Sequence, residues 1–134
     1  MFIVDLFRGK PKETVKKTAV EYVEWLLKHM LRTSQLELMI DTRKALPGST
    51  MQESNSGAPP CLPDAVVVIN RLKILSGVNP VVRLPTAVEG RFDRQRKHHT
   101  LEVFTHFRDV GQESTCVLRL RIRGCPEACD LEIT

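Results

Sequence analysis

The stretch Cys116-Val-Leu-Arg-Leu-Arg-Ile-Arg-Gly124 decides how this chain is read. Side chains on an extended strand alternate between two faces. Leu118, Leu120 and Ile122 therefore point to a core, and Arg119, Arg121 and Arg123 point away from it. Two residues of strand advance ~6.8 Å, which sets the spacing of the arginines. Three guanidinium groups in a row repel one another unless anions lie across them, and the phosphate repeat along one strand of nucleic acid is of similar size. The planar fork of arginine also suits bidentate phosphate contacts.

Immediately upstream, Thr100 to Arg108 reads as a partner strand, joined through Asp109-Val-Gly-Gln-Glu-Ser114, a length that suits a hairpin. With Leu101, Val103 and Phe107 facing inward, Glu102, Phe104, His106 and Arg108 share the arginine face. Phe104 then stands where it can stack a base, and His106 where it can meet a phosphate. Thr86 to His99 is polar and basic and reads as a loop. Within it, Arg91, Arg94, Arg96 and Lys97 supply four cations to close over the edge of a ligand on the sheet. Two simpler readings stand beside this one. Arginine at alternate positions is common on the wet face of an antiparallel sheet, where it pairs with carboxylates of neighbouring strands, and Glu102, Glu127 and Glu132 are available. A charge run in a loop is ordinarily solvated. An acidic protein surface is a third fit for the same cations.

Further out, Ala65-Val-Val-Val-Ile-Asn-Arg-Leu-Lys-Ile-Leu75 carries a β-branched run that favours a strand. Val81 to Leu84, bracketed by Pro80 and Pro85, reads as a short edge strand. Residues 45–64 have no periodicity and hold Pro47, Gly48, Pro59, Pro60 and Pro63, the mark of a long mobile loop. Gln35 to Asp41 alternates as a half-buried strand does. Pro11 to Arg32 repeats apolar residues at three- and four-residue steps (Val15, Ala19, Tyr22, Val23, Leu26, Leu27, Met30, Leu31) and predicts a long amphipathic helix, with Pro11 suited to its first position. Phe2 to Phe7 and Asp130 to Thr134 read as short strands. The expected fold is α+β: a mostly antiparallel sheet with one long N-terminal helix packed on one face. The expected organisation is a single domain, 1–134, with a strand-helix-strand front (1–44), the loop (45–64) and a strand-rich back (65–134).

The 134 residues are 42% hydrophobic and 27% charged, with 7 Gly and 8 Pro. That composition suits one globular domain and excludes collagen, coiled coil and wholesale disorder. No apolar run approaches the ~18 residues of a membrane span. Twenty Lys and Arg against 16 Asp and Glu leave a net charge of +4, a mild bias toward anionic partners. The first residues are interrupted by Asp5 and lack a basic leader or small-residue cleavage site. The chain is therefore expected to be intracellular, with Cys61, Cys116, Cys125 and Cys129 mostly free thiols. Cys125 and Cys129 form one close pair, with Cys116, His98, His99 and His106 scattered around it. Zinc sites ordinarily use two close pairs, so no metal or other cofactor is expected. Gly9-Lys10 lacks the remainder of a phosphate loop, and neither a Gly-x-Ser-x-Gly elbow nor a His-Glu-x-x-His pair occurs. An enzyme is not expected.

Cys116 to Gly124 resembles a strand in the small RNA-silencing suppressors of tombusviruses, in which a Cys precedes an alternating Arg run on an RNA-binding sheet. The likeness spans nine of the 134 residues. It implies duplex RNA laid across the sheet of a dimer and admits a virus-encoded accessory protein. That family caps the duplex with helix tryptophans, and Trp25 is the single tryptophan here. The sequence thus leads to a non-catalytic, intracellular nucleic-acid-binding protein, RNA favoured, acting through Arg119, Arg121, Arg123, Arg108, Phe104 and His106 and the basic stretch Arg91 to Lys97. The alternative is a protein-interaction or assembly module, a homodimer formed through an open strand edge.

Overall fold

The computed structural model describes residues 18–51 and 57–124. In chain order these form helix α1 (18–32), β1 (Glu37–Asp41), helix α2 (Ala65–Leu75), β2 (Val88–Gln95), β3 (His99–Val110) and β4 (Glu113–Gly124). The strands make one antiparallel sheet in the order β1-β4-β3-β2. The fold is α+β, with two helices rather than one among the described residues.

β3 and β4 form the long hairpin that their alternation predicts. They are joined by the two-residue turn Gly111-Gln112, with Val110 facing Glu113. Their inward residues Leu101, Val103, Phe107, Cys116 and Leu118 are completely buried. Tyr22, Val23, Leu26, Leu27 and Met30 of α1 and Val68, Ile69 and Leu72 of α2 complete this core. The described part of α1 follows the predicted periodicity; its proposed start at Pro11 lies outside the described residues, as do the strands read at Phe2 to Phe7 and Asp130 to Thr134.

Ala65 to Leu75 is a helix, not a strand. Its buried residues Val68, Ile69 and Leu72 follow helical spacing, while Val66 and Ile74 are apolar but about half exposed. Those two fill in the polar stripe that marks an amphipathic helix. β-Branched propensity is a weak prior that packing overrides. The stop signal is clear: Gly77 takes a positive φ of 77°. Val78 N–H donates to the Lys73 carbonyl at 2.8 Å, and Gly77 N–H to the Ile74 carbonyl at 3.2 Å. This is the Schellman arrangement, which favours glycine at that position.

Two further expectations change. Val81 to Leu84 is not a strand; it is an irregular connection, in which Leu84 N–H donates to the Asp109 carboxylate at 2.9 Å. Residues 88–95, read as part of a loop, are strand β2. Val88, Gly90, Phe92 and Arg94 occupy its covered side by register. A glycine and an arginine at nominally apolar positions mask the alternation. Within 45–64, the described flanks are tied to α1 rather than loose. Leu46 is buried, Tyr22 Oη donates to the Pro47 carbonyl at 2.6 Å, Trp25 Nε1 to the Gly57 carbonyl at 3.1 Å, and Cys61 Sγ to the Thr18 carbonyl at 3.3 Å.

On the covered side, one ion pair is almost fully buried. Lys73 Nζ of α2 approaches Asp109 Oδ1 of β3 at 3.8 Å, and both side chains are about 95% buried. Burial by itself raises the Asp109 carboxyl; hydrogen bonds from Leu84 N–H and Ser114 Oγ and the Lys73 charge outweigh it, holding the group below its ordinary value. Burial pushes the neighbouring Cys116 thiol up to about 12, which leaves it a small apolar side chain rather than a nucleophile.

Candidate functional site

Both helices pack on one face of the sheet, so the opposite face carries the residues that pair outward. In register across β1, β4, β3 and β2 these include Glu37–Arg119–Phe104–Arg91, then Arg121–Glu102–Asp93, and then Val117–His106–Glu89. Arg119, Arg121, Arg123, Arg108, Phe104 and His106 thus share a face, as the alternation of β3 and β4 predicts. Arg91 joins them from β2. Arg94 does not: it lies on the covered side, with its guanidinium bound to Glu24 of α1 at 3.0 Å and 5.2 Å from the Phe92 ring centroid. Arg96 and Lys97 sit in the turn between β2 and β3. The basic stretch is therefore divided among an open strand face, the helix-covered face and a turn, and does not form one loop that closes over a ligand.

The arginine row is matched by carboxylates. Arg119 Nε lies 3.1 Å from Glu37, Arg121 Nε 3.7 Å from Glu102, and Arg123 3.7 Å from Asp93. Arg91 reaches Glu102 at 2.5 Å and Asp93 at 3.4 Å. Glu102 and Asp93 face each other directly across β3 and β2. Two like charges at a facing position destabilise a sheet, so the pair depends on the cations around it. Glu102 is only 3% exposed, while the side chains of Arg119 and Arg121 are 71% exposed. By register, the open face carries five arginines (91, 108, 119, 121, 123) and six carboxylates (Glu37, Asp41, Glu89, Asp93, Glu102, Glu113). It is a charge-alternating lattice rather than a basic stripe.

A depression of about 520 Å3 lies on this face between β1 and β2, lined among others by Phe104, Val117, His106, Arg119, Glu37 and Glu89. Arg91 sits 5.4 Å from the Phe104 ring centroid. His106 Nδ1 is 3.6 Å from Glu89, an ion pair only when the imidazole is protonated. At the rim, Asp41 accepts hydrogen bonds from Arg43 N–H and its guanidinium, which hold its carboxyl down at about 2.

The residues that sequence reasoning missed are mostly counter-charges. Glu102 is the exception, since the sequence reading names it as a carboxylate available to the arginines. Glu37 and Asp93 find their partners only through strand register. The signal that would have placed Asp93 is the alternation Val88-Glu-Gly-Arg-Phe-Asp93, which identifies β2. Among the described residues, no three His, Cys, Asp or Glu side chains converge as a metal site; Cys125 and Cys129 lie outside those residues. No helix among them is long and apolar enough to cross a membrane. No protein-family model matches this chain, and no curated protein matches it.

Proposed function

We propose that this protein is a non-catalytic assembly module that associates with a second copy of itself. The observation that carries this reading is the charge balance of the open sheet face: each arginine of the β4 row has a carboxylate at 3.1–3.7 Å. A polyphosphate laid on that face would meet carboxylate oxygens as often as guanidiniums, and the counterion-release gain would be small. A surface of mixed sign suits a protein partner of mixed sign, where complementarity gives specificity. Among the described residues the sheet also has two edges, β1 and β2, and edges are the usual place for such a sheet to pair.

Nucleic-acid binding, RNA favoured, is the second reading, and one observation favours it. Glu102 and Asp93 serve three arginines between them, Arg91, Arg121 and Arg123. Arg91 holds the two shortest of those contacts, which leaves Arg121 and Arg123 with the long ones. Arg96 and Lys97 stand in the adjacent turn, so that corner of the sheet is richer in cations than the rest.

Light scattering of the full chain, with and without a short duplex RNA and at low and high ionic strength, separates the two. Assembly predicts a dimer mass that RNA does not change. RNA binding predicts a mass increase that falls steeply with salt and weakens when Arg119 and Arg121 are both replaced by Ala. A monomer that takes up duplex RNA overturns the first reading.

A further inference from the structure

We infer that the dimer forms by antiparallel pairing of β2 with β2 of a second copy, centred on Phe92. This rests on the assembly reading and specifies its surface. The hydrogen bonding of β2 to β3 fixes which of its peptide groups face outward. Arg96 N–H donates to the His99 carbonyl at 2.8 Å, directly across the strand pair. Hydrogen-bonded and non-hydrogen-bonded positions alternate along an antiparallel ladder. The peptide groups of residues 88, 90, 92 and 94 therefore turn toward β3, and those of Glu89, Arg91, Asp93 and Gln95 turn away from it. β2 ends the sheet in the described topology, and those four outward residues are all exposed.

Two of the usual guards are absent, although Arg94 is an inward-pointing charge of the kind that blunts an edge. Val88–Gln95 is eight residues long, with no proline and no lysine, whereas exposed edges are ordinarily blunted by such residues. What it carries instead is a charge pattern that is its own complement. In a two-fold antiparallel register centred on Phe92, Arg91 of one copy faces Asp93 of the other, and Asp93 faces Arg91. Glu89 faces Gln95, and Phe92 faces Phe92. Each outward pair exchanges two main-chain hydrogen bonds. Shifting the register by one step to centre on Arg91 sets Arg91 against Arg91 and Glu89 against Asp93, so the charges also select the alignment.

The other edge behaves oppositely. Leu120 N–H donates to the Leu36 carbonyl, so the outward residues of β1 are Glu37, Met39 and Asp41. Symmetric pairing of β1 sets Glu37 against Asp41 twice, and facing like charges are destabilising. In the registers centred on Met39 and Phe92, β1 sets like charges together and β2 sets opposite charges together. The assembly is a closed dimer in which the four described strands of each copy join one sheet and the two open faces are continuous.

The test exchanges charges. Arg91→Asp and Asp93→Arg are each measured by analytical ultracentrifugation, with far-UV circular dichroism to confirm folding. Each substitution turns two attractive facing pairs into two repulsive ones and is expected to weaken the dimer on the order of 10- to 100-fold. An equimolar mixture of the two variants restores facing opposite charges and is expected to regain the dimer mass as a heterodimer. The doubly exchanged chain R91D/D93R is expected to dimerise by itself. Because Arg91 also serves the buried Glu102, Arg91→Asp is the variant at risk of misfolding. Asp93→Arg leaves that contact intact, and Gln95→Pro removes an outward N–H that β3 does not use, so both keep the inference testable. A wild-type dimer that is unaffected by Asp93→Arg and Gln95→Pro overturns the β2 interface while leaving assembly standing. Folded variants that fail to reassociate on mixing also overturn it. A wild-type chain that stays monomeric at all concentrations and salt levels overturns both.

Discussion

Replacing Glu102 by Gln probes what holds the open face in order. Glu102 is 3% exposed and lies 2.5 Å from Arg91 and 3.7 Å from Arg121. These contacts are ion pairs, with Glu102 Oε1 accepting no hydrogen bond, and removing one partner of a buried pair costs about 3–5 kcal/mol. The side chains of Arg91 and Arg121 are 45% and 71% exposed, so solvent screening moves the value to the lower part of that range. Gln keeps an acceptor for Arg91, but its amide donor meets guanidinium groups and gains no partner, a cost of about 1–3 kcal/mol when buried. The carboxylate's own desolvation, which Gln relieves, offsets part of this. The balance is a loss of about 2 kcal/mol, or a melting temperature lower by roughly 6 °C at about 3 °C per kcal/mol for a chain of this size. Urea unfolding at pH 7, followed by circular dichroism, measures it. Repeating the series at 0.1 and 0.5 M salt should change the difference little, because the carboxylate is buried. Stability equal to or above wild type would refute the reasoning: burying the carboxylate would then cost more than its two arginines return, and the lattice would be incidental to the fold.

Three other outcomes follow from the packing. A Cβ at Gly90 would lie 2.5 Å from Ser76 Cβ and 2.9 Å from Thr105 Oγ1, so Gly90→Ala should cost about 1–3 kcal/mol by overpacking, and Ser76→Gly in the same chain should recover part of it in a double-mutant cycle. Lys73→Met should lower stability by about 3 kcal/mol in urea unfolding, since it strips the buried Asp109 of its cation while leaving the Leu84 and Ser114 hydrogen bonds. Asp41, held at about 2 by Arg43, has an ordinary unfolded value near ~4. Its contribution is therefore complete above that unfolded value and lost as pH falls from ~4 toward 2. Asp41→Asn should flatten that part of the acid unfolding curve, and an unchanged curve would remove Asp41 from the account.

The open face also shows why the arginine row misleads when it is read alone. Alternation in Cys116 to Gly124 correctly places the arginines opposite the core, because side-chain direction along a strand is a local property. Whether those cations are available to an external anion depends on what faces them. Arg119 meets Glu37, 82 residues earlier in the chain, and Arg123 approaches Asp93 across β3. The charge balance of the open face and the exposed β2 edge both arise from these long-range registers. The two proposals also remain compatible, since a β2-paired dimer would bring two cation-rich corners into one continuous sheet.

By itself the sequence determined the parts of the fold whose period is complete within a short window: the α1 face from Ala19 to Met30, the alternation of β1, and the β3–β4 hairpin with its core and solvent sides. Only the tertiary structure decided the rest. Ala65 to Leu75 became a helix because Val68, Ile69 and Leu72 fill one side of the core and Gly77 closes the end, although Val66 and Ile74 erase the polar stripe. Residues 88–95 became a strand because β3 supplied a ladder and α1 supplied Glu24 to accept Arg94 on the covered side. Local periodicity records which way a side chain points; which charge it meets depends on strand order and register, and those are set by contacts between residues far apart in the chain.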